Sequence, residues 1–159
     1  MKIYLFSLTI FISVTCFCQE NKLIEIRSCF KSIEGANEIK ELISLSKNSL
    51  DHPVILAYYF TGKLMMLDYS NNPFEKYKIF KTKTKQIDSI INTNKKNIEV
   101  RLLRYVLQKN SPYFLKYNSD LRNDINYIKS NLYKENENLQ SYIETLLIQF
   151  NNERSSNPS

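Results

Sequence analysis

From residue 20 onward, apolar residues recur every three or four positions, and no segment alternates with period two over the length of a strand. Leu23, Ile26, Phe30 and Ile33 form the first such stripe, with Glu20 and Glu25 toward the N-terminal end that favours acids. Gly35 breaks it, and Asn37 is placed to cap a second helix carrying Ile39, Leu42, Ile43 and Leu45. Asp51-His52-Pro53 opens a third, with Pro53 in the first turn, where its missing N–H costs nothing. Val54 to Tyr69 is then apolar nearly all the way round. Gly62 within it is poorer than alanine by about 1 kcal/mol, which predicts the close approach of another backbone there. Asn72-Pro73-Phe74-Glu75 has the form of a capped helix start, with Pro73 in the first turn. Tyr77, Phe80, Thr84, Ile87 and Ile91 follow as one continuous stripe predicted to be buried. Lys76, Lys78, Lys81, Lys83 and Lys85 occupy the outer face.

Asn97 is predicted to cap the helix around which the chain is organised, running from Ile98 to Lys109. Ile98, Leu102, Tyr105 and Val106 share one face, and Val100, Leu103 and Leu107 cover most of the other. Only Arg101, Arg104 and Gln108 form a polar stripe, so other helices should surround this one. Ser111-Pro112 starts an aromatic connection with Tyr113, Phe114 and Tyr117, and Ser119 caps a sixth helix striped by Leu121, Ile125, Ile128 and Leu132. After a loop at 134–138, Leu139, Ile143, Leu146, Leu147 and Phe150 mark the last helix. Residues 151–159 have nothing to bury and are expected to fray. The prediction is an all-α fold: about seven helices in antiparallel hairpins, forming a single domain over residues 19–150.

The first residues read differently. Lys2, an apolar run from Ile3 to Val14, and small residues up to Cys18 have the order of a secretory signal peptide, cleaved between Cys18 and Gln19. The alternative is a lipoprotein anchored at Cys16, but Ser13-Val14-Thr15 departs from the usual lipid box. The run is too short to span a bilayer, which takes about 20 apolar residues, and no spanning segment is expected in the mature chain. Cleavage leaves 141 of the 159 residues, and the net charge drops from +6 to +5 because Lys2 leaves with a segment that has no acid. Only Cys29 survives, so no internal disulfide is possible and packing alone must hold the fold. The expected location is periplasmic or secreted.

Two resemblances follow from these residues. Thr84-Lys85-Gln86-Ile87-Asp88-Ser89-Ile90-Ile91 and Asn97 to Arg104, joined by a polar turn, resemble the junction between two tetratricopeptide repeats. Lys95-Lys96 stands where that family usually has proline, and its 34-residue period is not sustained. The resemblance implies a degenerate hairpin stack. In addition, N-P-F-E-K at 72–76, N-I-E-V-R-L-L-R at 97–104 and Q-K-N-S-P-Y-F-L-K-Y at 108–117 resemble a family of small exported flavobacterial proteins. That resemblance implies export and a helical fold, and no mechanism.

Candidate chemistry is sparse. Glu99 lies on an apolar arc between Val106 and Leu103 at about 100° per residue. A carboxylate buried there is a possible acid or base. The stronger reading is structural, with Glu99 serving free N–H groups and the helix dipole two residues after its cap. Arg101 and Arg104, with Gln108 one turn on, are the best ligand candidates, since paired guanidiniums can grip a carboxylate or phosphate. Their plain alternative is pairing with acids of neighbouring helices. Tyr113 and Tyr117, beside Pro112, are candidate partner contacts. The lysine face at 76–85 is a candidate contact for an anionic polymer or lipid surface. Its aromatics fall on the buried stripe rather than among the lysines, which argues against nucleic acid.

One histidine and one cysteine in the mature chain allow no histidine or thiolate metal centre, and two glycines allow no Gly-rich phosphate loop. No nucleophile motif accompanies His52. The expectation is therefore a non-enzyme without cofactor or metal, contacting another envelope or secreted protein. The alternatives are an electrostatic binder of an anionic polymer or lipid and, third, a small hydrolase using carboxylates.

Overall fold

A computed structural model describes the backbone of residues 20–156 and the side chains of residues 20–150; the leader expected at 1–18 lies outside the described residues. The described chain is all-α. Its helices are α1 (20–31), α2 (Ala36–Ser46), α3 (Pro53–Met65), α4 (Pro73–Thr93), α5 (Ile98–Asn110), α6 (Leu121–Asn131) and α7 (Glu137–Ser156). Short 3-10 turns at Met66–Tyr69, Tyr113–Leu115 and Leu132–Lys134 follow α3, α5 and α6. Among the described residues there is no strand, and no helix is long and apolar enough to cross a membrane.

The helix starts follow their capping chemistry. The Asn72 side chain accepts from the N–H groups of Phe74 and Glu75, and Pro73 takes the first position of α4. Asn97 accepts from the N–H of Val100 at 3.0 Å and opens α5. α2 starts two residues earlier than Asn37 would set it: Gly35 is the cap, and its N–H donates to Glu38 Oε2 at 2.9 Å. α6 starts after Asp120 rather than Ser119, with no side-chain cap bond, and α7 runs to Ser156, past the expected end at Phe150. Pro112 caps the 3-10 turn Tyr113–Leu115, which closes on Lys116 in the left-handed region at φ 50°.

α5 is the hub. Nine of its thirteen residues are buried, and it packs on α3, α4, α6 and α7. α3 is buried round most of its circumference, with Val54, Ile55, Ala57, Tyr58, Phe60 and Leu64 in the core and Leu56, Tyr59 and Lys63 as a half-buried stripe. Gly62 marks where α2 crosses it. A Cβ there would lie 2.8 Å from Ile43 Cγ1 and 3.3 Å from Leu42 Cδ2, so side chains, and not the backbone expected from the sequence, make the close approach.

α4 shows the largest departure. Its stripe is buried only from Thr84 onward, at Thr84, Ile87, Ile90 and Ile91. Tyr77 is 53% exposed and Phe80 half-buried, because the first half of this 21-residue helix runs beyond the core it packs on.

Candidate functional site

All three charges singled out on α5, Glu99, Arg101 and Arg104, are used internally. Glu99 is buried, and Arg27 of α1 grips it with two bonds, Nε to Oε1 and Nη2 to Oε2, each 2.7 Å. Tyr58 of α3 donates to Oε1 at 2.8 Å and meets the Tyr142 hydroxyl of α7 at 2.7 Å. Four helices thus converge on one carboxylate. Burial by itself lowers the Arg27 pKa, but the bond and charge of Glu99 win and raise it. Burial, then the Glu99 charge, pushes the Tyr58 phenol well up; burial does the same for Tyr142. Buried, and held by a bidentate guanidinium and a phenol, this carboxylate presents no oxygen to solvent with which to take a proton from a substrate. It also does not bond the free N–H groups of its own helix, the role expected for it.

The second cluster joins α5 to α6 and α4. Asp124, fully buried, accepts Nε and Nη2 of Arg104 at 2.7 and 2.9 Å, and Nη1 of Arg101 at 2.8 Å. Arg104 also donates to Asp88 at 3.1 Å and lies 3.6 Å from Asp120. Arg101 donates to the Lys95 carbonyl and stacks over the Tyr127 ring, 4.2 Å from its centroid. The two arginines are therefore matched by acids of neighbouring helices. Gln108 is sealed inside, its amide nitrogen and oxygen without partners among the described residues, so it faces no external partner. Tyr117 turns inward and donates to Asp88 at 3.1 Å, with its ring edge-on to Phe80; burial, then Asp88, raises its pKa. Of the proposed contact residues on the connection, Tyr113 stands in solvent, 86% exposed. Arg101 and Arg104 do border a shallow, open cleft of about 580 Å³ with Asn123, Asn126 and Tyr127, but their charge there is already answered.

The lysines divide. Lys78, Lys81 and Lys85 are exposed, whereas Lys76 and Lys83 are half-buried. Lys83 lies over the Phe60 ring and donates to Gln86, and Lys81 donates to the Tyr77 hydroxyl at 3.4 Å. Among the described residues no group of three or more His, Cys, Asp or Glu side chains is placed to hold a metal ion.

The feature that sequence reading missed is an apolar groove of about 520 Å³. Its floor is Phe30 and Ile33 from the α1 end, Leu64 and Met65 of α3, Val106 and Leu107 of α5, and Phe150 of α7. One wall is the overrunning start of α4, with Pro73, Lys76, Tyr77 and Phe80; the other is Ser111, Pro112, Phe114 and Leu115. Phe114 lines it while remaining 78% exposed, and Phe74 at the head of α4 is 87% exposed. A detectable signal was present: the α4 stripe is longer than the core facing it, and an aromatic connection follows α5. Neither can be matched to the other without the fold.

No family model, curated protein or solved structure matches this chain.

Proposed function

We propose that the protein is exported and works by non-catalytic binding of an apolar group held in the groove between α1, α4, α5 and α7. The observation that supports it most is the contrast between the two kinds of site. The conspicuous charged clusters satisfy themselves, while the groove sets half-buried and exposed apolar side chains over a floor that includes the buried Phe30, Leu64 and Val106, at a volume within the range of about 300–1,000 Å³ usual for ligand pockets. The degenerate tetratricopeptide-like stack of antiparallel hairpins belongs to the same reading, as the scaffold that leaves a gap where α4 overruns its neighbours.

Titration with the neutral dye N-phenyl-1-naphthylamine tests this. Saturable fluorescence enhancement is expected, and Ser111→Trp, which fills the groove from the exposed end of α5, should abolish it without loss of helical content. No enhancement, or enhancement unchanged by Ser111→Trp, contradicts the reading.

A second reading is contact with another envelope or secreted protein, as expected from the sequence. Tyr113 and Phe114 favour it, since side chains this exposed, at 86% and 78%, are typical anchors for a partner. Retention of a defined protein at high salt, lost on Tyr113→Ala/Phe114→Ala, is its expected signature. Capture that disappears with salt belongs instead to the lysine face of α4.

A further inference from the structure

The rim of the groove is not uniformly apolar. Lys76 lines it, half-buried, with no carboxylate within ion-pair distance among the described residues. Its aliphatic stem can pack along the groove while the ammonium, without an acid partner, stays available to an anionic group. A second cation, Lys81, stands outside the lining but rests on Tyr77, which belongs to it, 3.4 Å from the hydroxyl and 5.5 Å from the ring centroid. Asp68 is the opposing charge in the lining, and it is exposed and makes no ion pair with Lys76. Asn110 and Ser111 add neutral polar groups at the end of α5. The groove therefore combines an apolar trough with a rim that carries the unpaired Lys76 and the exposed Asp68, with Lys81 just outside the lining.

We propose that the occupant is a single-chain amphiphile with an anionic head, a carboxylate or a phosphate, its chain in the trough and its head at Lys76. This rests on the groove being the binding surface. At about 30 Å³ per methylene, a value close to the liquid share of one water, about 520 Å³ admits one chain of roughly 12 to 16 carbons and leaves no room for a second. Each buried methylene tightens binding about fourfold. The lysine then gains the counter-charge that the fold withholds.

The test is displacement of N-phenyl-1-naphthylamine from the purified protein by four compounds kept below micelle formation: dodecanoate, dodecyl phosphate, dodecanol and dodecyltrimethylammonium. The two anions should compete at concentrations at least tenfold lower than the cation, and their order separates a fatty-acid head from a lipid phosphate. Decanoate should be about fifteenfold weaker than dodecanoate. Lys76→Glu should remove the preference for anions while leaving dodecanol within about twofold, which shows that the groove remains folded. Equal displacement by all four heads, or an anion preference that survives both Lys76→Glu and Lys81→Glu, overturns the headgroup assignment and leaves the groove reading standing. Failure of the dye itself to bind overturns both.

Discussion

Arg27 and Glu99, 72 residues apart, face each other through two 2.7 Å hydrogen bonds and fasten the first described helix to the central one. Breaking such a pair from one side strands the other charge, whereas replacing both sides can be nearly neutral. Glu99→Gln should therefore cost about 3 kcal/mol, and the double variant Arg27→Met/Glu99→Leu should recover most of that loss. Urea unfolding of the three proteins decides it. A Glu99→Gln midpoint equal to the parent's would show that the pair does not hold α1 in place.

Asp124 collects three guanidinium bonds at a fully buried position, so its removal should be at least as damaging. Asp124→Asn keeps the shape but loses the charge that two arginines share. A loss of about 3–5 kcal/mol in urea unfolding is expected. Asp120→Asn, 3.6 Å from Arg104 and with its side chain 39% exposed, should cost less than about 1 kcal/mol.

Gly62→Ala tests the crossing of α2 over α3. Alanine should gain about 1 kcal/mol in helix propensity, but its methyl would sit 2.8 Å from Ile43 Cγ1, an atom anchored close to its own backbone. Overpacking of this kind costs about 1–3 kcal/mol. Net destabilisation near 1 kcal/mol is expected. Pairing it with Ile43→Ala should make the effect of Gly62→Ala favourable, which a thermal-melt cycle reads directly.

Alkaline pH should unfold the protein early. Burial, with nearby carboxylates Glu99 and Asp88, raises the phenol pKa of Tyr58, Tyr117 and Tyr142 above the ordinary value of about 10. In the unfolded chain these groups lose their protons near pH 10, while the folded chain keeps them. Their stabilisation is therefore complete below about pH 10 and declines as pH rises from there, each contributing up to about 1.4 kcal/mol per pH unit. Urea midpoints between pH 8 and 11 should fall steeply above 10. Tyr58→Phe should make that fall shallower while lowering stability at pH 8 by about 1–2 kcal/mol.

The helices themselves were legible because burial on one face imposes a 3.6-residue period on the chain. Ile98, Leu102 and Val106 announce a core helix, and Asn72 and Asn97 announce where their helices begin. What a single helix wheel cannot encode is its counterpart. Nothing near Glu99 points to Arg27, since the pairing depends on how α1 lies on α5. Arg104 was more readable, because Asp120, just before α6, and Asp124 within it stand four residues apart as an acidic face awaiting a basic stripe. Tyr117 was misread as a contact residue because a tyrosine on a connection looks exposed until Asp88 is found to receive its hydroxyl. The groove is hidden for a related reason. Periodicity shows that Tyr77 and Phe80 share the face of Ile87, but it does not show that the opposing helices stop short of them.

The most direct measurement is an amide chemical-shift map of the protein titrated with dodecanoate. The predicted result is saturable perturbation confined to the groove: residues 64–68 and 73–80, the end of α5 with 111–115, and Gln149–Phe150. Perturbation centred instead on Asn123, Asn126 and Tyr127, or spread along the exposed lysines without saturation, would contradict the groove as the working surface of this protein.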